Sequence, residues 1–181
     1  MYNVIGIDQS TDKVGWGIIN SDGELIDYGC ISVKAEMKEM DVDSDWEIAR
    51  IAYVRDRVDE IIKQYSPKLA GLEDTVLVSF SSNRNFRNVG VLKTLTKCLG
   101  ILECNFFDHD LDYIIFNNSE WRKGKIKGGD RIAKKRNAVK YVNNKYNIDL
   151  QWFGDYSKKN DDDIAEAIII AECVLERAKV M

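Results

Sequence analysis

Proline and histidine are nearly absent from this 181-residue chain, which has one of each, Pro67 and His109. A single histidine makes Ser-His catalysis or a His-rich metal centre a poor basis for any mechanism, and His109 reads as an ordinary loop residue. Cysteine is scarce too. Cys30, Cys98, Cys104 and Cys173 show no CxxC spacing, which argues against zinc sites and a disulfide framework. All four read as small core residues in a reducing compartment. No apolar run approaches the roughly 18–20 residues that span a bilayer, so no membrane partner is expected. Met1 leads directly into a strand pattern, so no signal peptide is expected and the cytoplasm is the expected location. There is no internal repeat, low-complexity segment or Pro/Ser-rich linker. Residues 1–181 are therefore expected to form one domain, large enough for a core flanked by two or more layers.

Positive charge also looks short, since the formal net charge is −4, which at first argues against a nucleic-acid binder. Its distribution reverses that reading. Between Asn118 and Tyr146 ten Lys or Arg stand against Glu120 and Asp130 alone. This segment carries eight excess positive charges, and the remainder of the chain carries twelve negative ones. A local basic surface matters more to a polyanion than net charge does.

Hydrophobic patterning predicts strands at about 2–8, 14–20 and 24–34, with "NSDGE" (20–24) turning the second into the third as an antiparallel hairpin. The acidic stretch that follows, from Glu36 to Glu47, reads as a solvated loop. Ser44-x-x-Glu47 has the form of a capping box opening a helix whose Ile51, Val54, Val58, Ile61, Ile62 and Tyr65 share one face, and Pro67 stops it. "LAGLED" (69–74) is a short strand, and the polar loop "SFSSNRNF" (79–86) leads into a helix carried by Val89, Leu92, Leu95, Leu99 and Leu102. "DYIIFN" (112–117) is a fifth strand. A Gly-rich basic loop (123–130) precedes a helix at about 131–145, and a last helix spans about 161–179. This order predicts an α/β fold: a mixed five-stranded sheet, its first three strands antiparallel, with helices on both faces.

The acids are placed unusually. Asp8 and Glu73 each close an apolar strand, and "KKNDDDIAEAIIIAE" puts Asp161, Asp162 and Asp163 at the mouth of a nearly all-apolar helix. The simplest account of these three is capping and helix-dipole complementarity. Glu166 strains it, because Asp163 and Glu166 (i, i+3) or Asp162 and Glu166 (i, i+4) share a face. If Asp8, Glu73 and this helix end meet, the carboxylates repel one another unless cations sit among them. Oxygen-only ligands suit Mg²⁺ or Mn²⁺. Beside a basic segment, such a cluster describes a phosphodiester site, where two ions can activate water and steady the leaving oxygen.

In this order, "IGIDQSTDKVGWGII", "LAGLED" and "KKNDDDIAEAIIIAE" resemble the RuvC Holliday junction resolvases, and "DDIAEA" is most similar to the family's phage and mitochondrial relatives. The resemblance covers essentially the whole chain. It implies an RNase H-like fold, a homodimer acting without another protein, and Mg²⁺-dependent cutting of four-way and other branched DNA in a bacterial or phage-infected cell. The family's first acid falls on Asp8, its second on Glu73 and its last on Glu166, where Asp is more usual. The acid before the last falls on Asp163, or on Asp162 under the i, i+4 spacing of some relatives, with Asp163 the preferred reading. The family's loop aromatic has Phe80 and Phe86 as counterparts, both further from Glu73 than expected. Phe80 reads either as a base-stacking ring or as a loop anchor. Arg84, Lys123, Lys125, Lys127, Arg131, Lys134, Lys135 and Arg136 complete the expected DNA contacts. Gly90 and Gly100, in the helix that begins near residue 86, either permit close packing at a dimer seam or only weaken that helix.

Three rival readings differ in class. "GIDQST" is similar to the first phosphate loop of the sugar-kinase, actin and chaperone ATPase superfamily, but 181 residues leave no room for that fold's second domain. An RNase H-like RNA-processing nuclease and a branched-DNA binder that no longer cuts are the other two. Mg²⁺-dependent cutting of a four-way junction separates them.

Overall fold

The computed structural model describes the chain apart from residues 11, 42, 44–45, 76–85 and 181. The proposed Ser44 cap, Phe80 and Arg84 lie outside the described residues. Eleven elements follow in order among those described: β1 (Asn3–Asp8), β2 (Val14–Asn20), β3 (Leu25–Ile31), α1 (Val33–Glu39), α2 (Glu47–Tyr65), β4 (Leu69–Glu73), α3 (Phe86–Asp108), β5 (Asp112–Phe116), α4 (Asn118–Arg122), α5 (Arg131–Tyr146) and α6 (Asp162–Ala178). The sheet runs β3-β2-β1-β4-β5. β1 pairs antiparallel with β2 and parallel with β4, β2 is antiparallel to β3, and β4 is parallel to β5. This is the expected mixed sheet. In the β2–β3 hairpin Asn20 is buried, and its Oδ1 accepts from the backbone N–H groups of Asp22 and Glu24 at 3.0 and 2.9 Å.

Two segments depart from the sequence expectation. β3 ends at Ile31, and the stretch read as strand and then loop forms α1 instead. Val33 and Met37, four apart and both buried, give this short helix its apolar face. The acids around them made the segment look solvated. α4 was also unforeseen; Asn117 caps it, accepting from Ser119 and Glu120 N–H, while the Glu120 carboxylate accepts from Asn117 N–H. α2 ends as expected. Ser66 turns left-handed with its N–H on the Ile62 carbonyl, and Pro67 follows. Among the cysteines Cys98 and Cys173 are buried, but Cys104 is exposed and Cys30 only partly covered, so not all four are core residues.

Strand alternation divides the core. Ile5, Ile7, Ala70 and Leu72 join α1, α2 and α3 in one apolar cluster, while Val4, Ile19 and Phe116 join α4, α5 and α6 in the other. The second face holds α6 unusually close. Gly6 is in register with Gly17 on one side and Gly71 on the other, so a row of three glycines crosses three strands. A Cβ at Gly6 would lie 2.1 Å from the Ala167 carbonyl oxygen, and one at Gly71 2.5 Å from Val174. The absent side chains let α6 rest on the sheet's backbone. α6 carries its own apolar residues, Ile164 and Ile168 to Ile170 among them, into this face.

Candidate active site

Strand period places the first two acids. Asp8 has the parity of Val4 and Gly6, and Glu73 that of Leu69 and Gly71, so both point to the face covered by α6. The β1–β4 ladder runs to the pair Ile7 and Leu72, and the two acids are the next residues on each strand. Gln9 continues the clasp after the ladder stops, its Nε2 donating to the Glu73 carbonyl at 2.9 Å. The start of α6 comes to meet them because Gly15, on β2, lies under it. A Cβ there would stand 2.0 Å from the Asp163 carbonyl oxygen.

The result is a concentration of negative charge. Burial, then Glu166, Glu73 and Asp163 in turn, push the Asp8 carboxyl well above the usual carboxylate range. Burial also raises Glu73, which lies within hydrogen-bonding reach of Asp8. Asp163 is raised by burial and by its neighbour Asp162, and Glu166, only 2% exposed, is raised chiefly by burial. Asp162 meets Lys135. Asp163 and Glu166, one helical turn apart, are the α6 acids that raise Asp8 most.

Three cations border the cluster. Lys135 contacts Asp162 and approaches Asp163 at 3.5 Å. Burial alone would pull its ammonium down, but Glu166, Asp162 and Asp163 outweigh that and hold it above its ordinary value. Lys13 reaches Asp163 at 3.3 Å and donates to the Asn160 carbonyl. Arg122 reaches Glu166 at 3.0 Å, with its guanidinium 4.1 Å over the Trp121 ring. Sequence reasoning singled out neither Lys13 nor Gln9, and counted Arg122 only as part of the basic segment. The one available signal was proximity in the chain to Asp8 and to the basic loop.

Among the described residues no group of three or more His, Cys, Asp or Glu side chains stands as a ready-made metal site. The donor set nonetheless suits a hard divalent cation. Neither Asp8 nor Glu73 has an ion-pair partner among the described residues, and Glu73 Oε1 is buried without a hydrogen bond. Arg122 and Lys135 compensate Glu73 only in part, since burial still holds its carboxyl above its ordinary value, and Mg²⁺ or Mn²⁺ would satisfy such oxygens.

The expected DNA-contacting residues divide. Lys123, Lys127 and Arg131 are exposed, and Lys134 and Arg136 partly so, with Arg136 3.8 Å from Asp155. Lys135 belongs to the acid cluster. Lys125 turns inward to α6, where it meets Glu176 and lies 3.3 Å from the buried Glu172. Glu172 also accepts from the Tyr141 hydroxyl at 2.9 Å and pairs with Lys145 at 2.9 Å. Lys125 thus fastens the basic loop to α6.

Comparison with known proteins identifies the family. The family model described as crossover junction endodeoxyribonuclease RuvC matches residues 4–174. The chain belongs to the RuvC family. It is 33% identical over 89 residues to the Fusobacterium nucleatum crossover junction endodeoxyribonuclease RuvC, covering 48% of this chain and 42% of that protein. Its Treponema denticola counterpart is 37% identical over 73 residues, covering 39% and 36%. The matched stretches thus span less than half the length of these curated relatives. Among solved structures, Thermus thermophilus RuvC in complex with Holliday junction substrate superposes with a TM-score of 0.67 at 13% identity, covering 98% of this chain and 96% of that one. The yeast mitochondrial Holliday junction resolvase Ydc2 superposes at 0.52 with 14% identity, covering 98% and 81%. At such identities the likeness establishes the fold, the RNase H-like arrangement of the RuvC family. Among the described residues no helix is long and apolar enough to cross a membrane.

Proposed function

We propose that this RuvC-family chain is a structure-specific endonuclease that hydrolyses phosphodiesters in Holliday junctions and other branched DNA. One observation carries the reading: acids from three separate elements, Asp8, Glu73, Asp163 and Glu166, meet at one end of the sheet beside the basic segment. Those four residues would hold Mg²⁺, as two ions, with Mn²⁺ able to replace it. When bound there, the metal supplies an activated water and charge stabilisation at the leaving oxygen. Lys13, Arg122 and Lys135 place positive charge at the border of the same cluster, where phosphate oxygens must arrive. Lys123, Lys127, Arg131, Lys134 and Arg136 extend that positive charge along the duplex arms.

Residues 1–181 act in this reading as one nuclease domain in the cytoplasm of a bacterium or phage-infected cell. Two opposed cuts in a two-fold symmetric substrate call for a homodimer. α3 is the element that fits the seam. Its Leu99 and Leu102 are buried, Leu92 and Leu95 are partly exposed, and Gly90 and Gly100 have open space in place of a side chain.

The reading is tested by incubating the purified protein with end-labelled four-way junctions, flaps, splayed arms and linear duplex, in Mg²⁺, Mn²⁺ or EDTA. Symmetric cutting of the junction with either metal, none in EDTA and none of the linear duplex is the expected pattern. Junction binding without cutting in either metal would favour a non-cutting binder, and preferential cutting of RNA would favour an RNA-processing nuclease.

A further inference from the structure

The loop between α5 and α6 (147–161) carries two strongly exposed rings, Phe153 at 63% and Tyr156 at 89% exposure. Single exposed apolar residues are ordinary. Two rings three residues apart on a loop that is firmly fastened are less so. Asn160, 3% exposed, spans the loop with its amide: Oδ1 accepts from the Phe153 N–H and Nδ2 donates to the Gly154 carbonyl, each at 2.8 Å. At the neck, Asp161 N–H donates to the Gln151 carbonyl at 3.1 Å, and Gln151 N–H donates to Asp161 Oδ2 at 2.8 Å. Ser157 N–H closes the tip on the Gly154 carbonyl at 3.2 Å. Lys13 then joins this loop to the acid cluster, because its ammonium donates to the Asn160 carbonyl and pairs with Asp163. The loop enters α6 directly, and Tyr156 precedes Asp162 by six residues.

Fixing a surface loop costs conformational entropy, and leaving two rings in water forgoes burial. A compact loop that does both is built to present them. Its charge says to what. Lys158 and Lys159 follow Tyr156, both exposed and without an ion pair among the described residues, while Asp155 is countered by Arg136. Lysine is depleted at the centres of protein interfaces. Ring faces beside cations are what single-stranded nucleic acid takes: bases stack on the rings and phosphates meet the cations.

We infer that loop 152–159 is a nucleic-acid contact. Phe153 and Tyr156 stack on unpaired bases next to the scissile phosphate, and Lys158 and Lys159 hold the backbone of that strand. The inference rests on the nuclease reading above, and deepens it by assigning to this loop the unpaired part of the substrate.

The test measures equilibrium binding in EDTA, where nothing is cut, by anisotropy of a labelled four-way junction and of a single-stranded oligonucleotide. The variants are Phe153→Ala/Tyr156→Ala, Phe153→Tyr/Tyr156→Phe and Lys158→Ala/Lys159→Ala. Both rings are exposed, so none of these changes should disturb the core, and the ring-conserving pair checks that. Each ring lost should weaken binding about 5- to 10-fold, the low end of base–aromatic stacking. The salt dependence should stay unchanged, and the ring-conserving pair should bind like the parent. The double lysine variant should lower the slope of log K on log salt by about 0.7 per residue on the single strand. A 2-aminopurine base near the junction centre should be quenched by the parent and not by the double alanine variant.

Equal DNA affinity and equal quenching in the parent and the double alanine variant would overturn the inference. So would unchanged DNA binding with loss of self-association in sedimentation, since the rings would then serve a second copy of the chain. Failure of the unsubstituted protein to bind branched DNA is a different result, visible without any variant, and would overturn the nuclease reading together with this one.

Discussion

Gly15→Ala is the most informative small change, because it acts on the site without replacing any acid. A Cβ at Gly15 would stand 2.0 Å from the Asp163 carbonyl oxygen, 2.3 Å from its carbon and 2.8 Å from the Ile164 nitrogen. All three are helix backbone, which cannot rotate aside. Restoring an ordinary contact of 3.4–4 Å requires α6 to lift by more than 1 Å at the turn that carries Asp163 and Glu166. Overpacking of this kind typically costs about 1–3 kcal/mol. At this chain length that lowers Tm by roughly 2–4 °C per kcal/mol. A misplacement of about 1 Å at reacting groups can cost roughly 100-fold in rate. Gly15→Ala should therefore melt several degrees lower, bind junctions normally in EDTA, and cut them about 100-fold more slowly in single turnover. Gly17→Ala is the comparison. Its Cβ would meet the Ile168 side chain at 2.7 Å, further along α6 from the acids. It should lose stability but less activity. Cutting at the parent rate by folded Gly15→Ala would show that the seating of α6 does not govern the site.

Three further outcomes follow from the same geometry. Burial raises the carboxyls of Asp8, Glu73, Asp163 and Glu166 above their ordinary values of 3.8 and 4.5, with repulsion from neighbouring acids adding to it at Asp8, Asp163 and Glu166, so above those values the folded chain holds more protons than the unfolded one. Metal-free stability should accordingly fall as pH rises from the ordinary carboxylate range toward neutrality, and Mg²⁺ should raise Tm more at pH 8 than at pH 5 in scanning calorimetry; an Mg²⁺ effect that is the same at both would contradict the grouping of these acids. Asp163→Asn should slow junction cutting more than Asp162→Asn, because Asp163 is among the acids that raise Asp8 most while Asp162 is held by Lys135; the reverse order would make the i, i+4 pair the working one. Lys123→Ala, Lys127→Ala and Arg131→Ala should each reduce the slope of log K against log salt by about 0.9 on duplex arms, whereas Lys125→Ala should mainly lower Tm, since it leaves the buried Glu172 with one cation fewer.

What could be read from the sequence was whatever depends on local period. The apolar strand runs put Asp8 and Glu73 at strand ends, and helical spacing put Glu166 on one face with either Asp163 or Asp162. The mixed five-stranded sheet with its first three strands antiparallel was likewise legible, because the hairpin turn and the alternation of helices with later strands point to it; the strand order was not. What was hidden depends on pairing between distant segments. The row of Gly6, Gly17 and Gly71 becomes meaningful only once the three strands are in register and a helix lies over them. Lys125 and Lys135 looked like any other basic residues of their segment, and only the acids of α6 opposite them turn them inward. Val33 and Met37 had helical spacing, but β-branched Ile31 and Val33 extended the strand pattern and the acids nearby suggested a loop. Lys13 stands five residues after Asp8 in a turn, and nothing local says that it crosses to Asn160 and Asp163.

The most direct test of the metal-holding acid cluster is single-turnover cutting of a labelled four-way junction by Asp8→Asn in Mg²⁺, with binding measured in parallel. Asp8 takes no part in the basic surface, and its charge is opposed by three neighbouring acids. The account predicts no detectable nicking, with junction affinity unchanged or somewhat tighter because one negative charge near the phosphate is gone. Cutting by Asp8→Asn at close to the parent rate would contradict it.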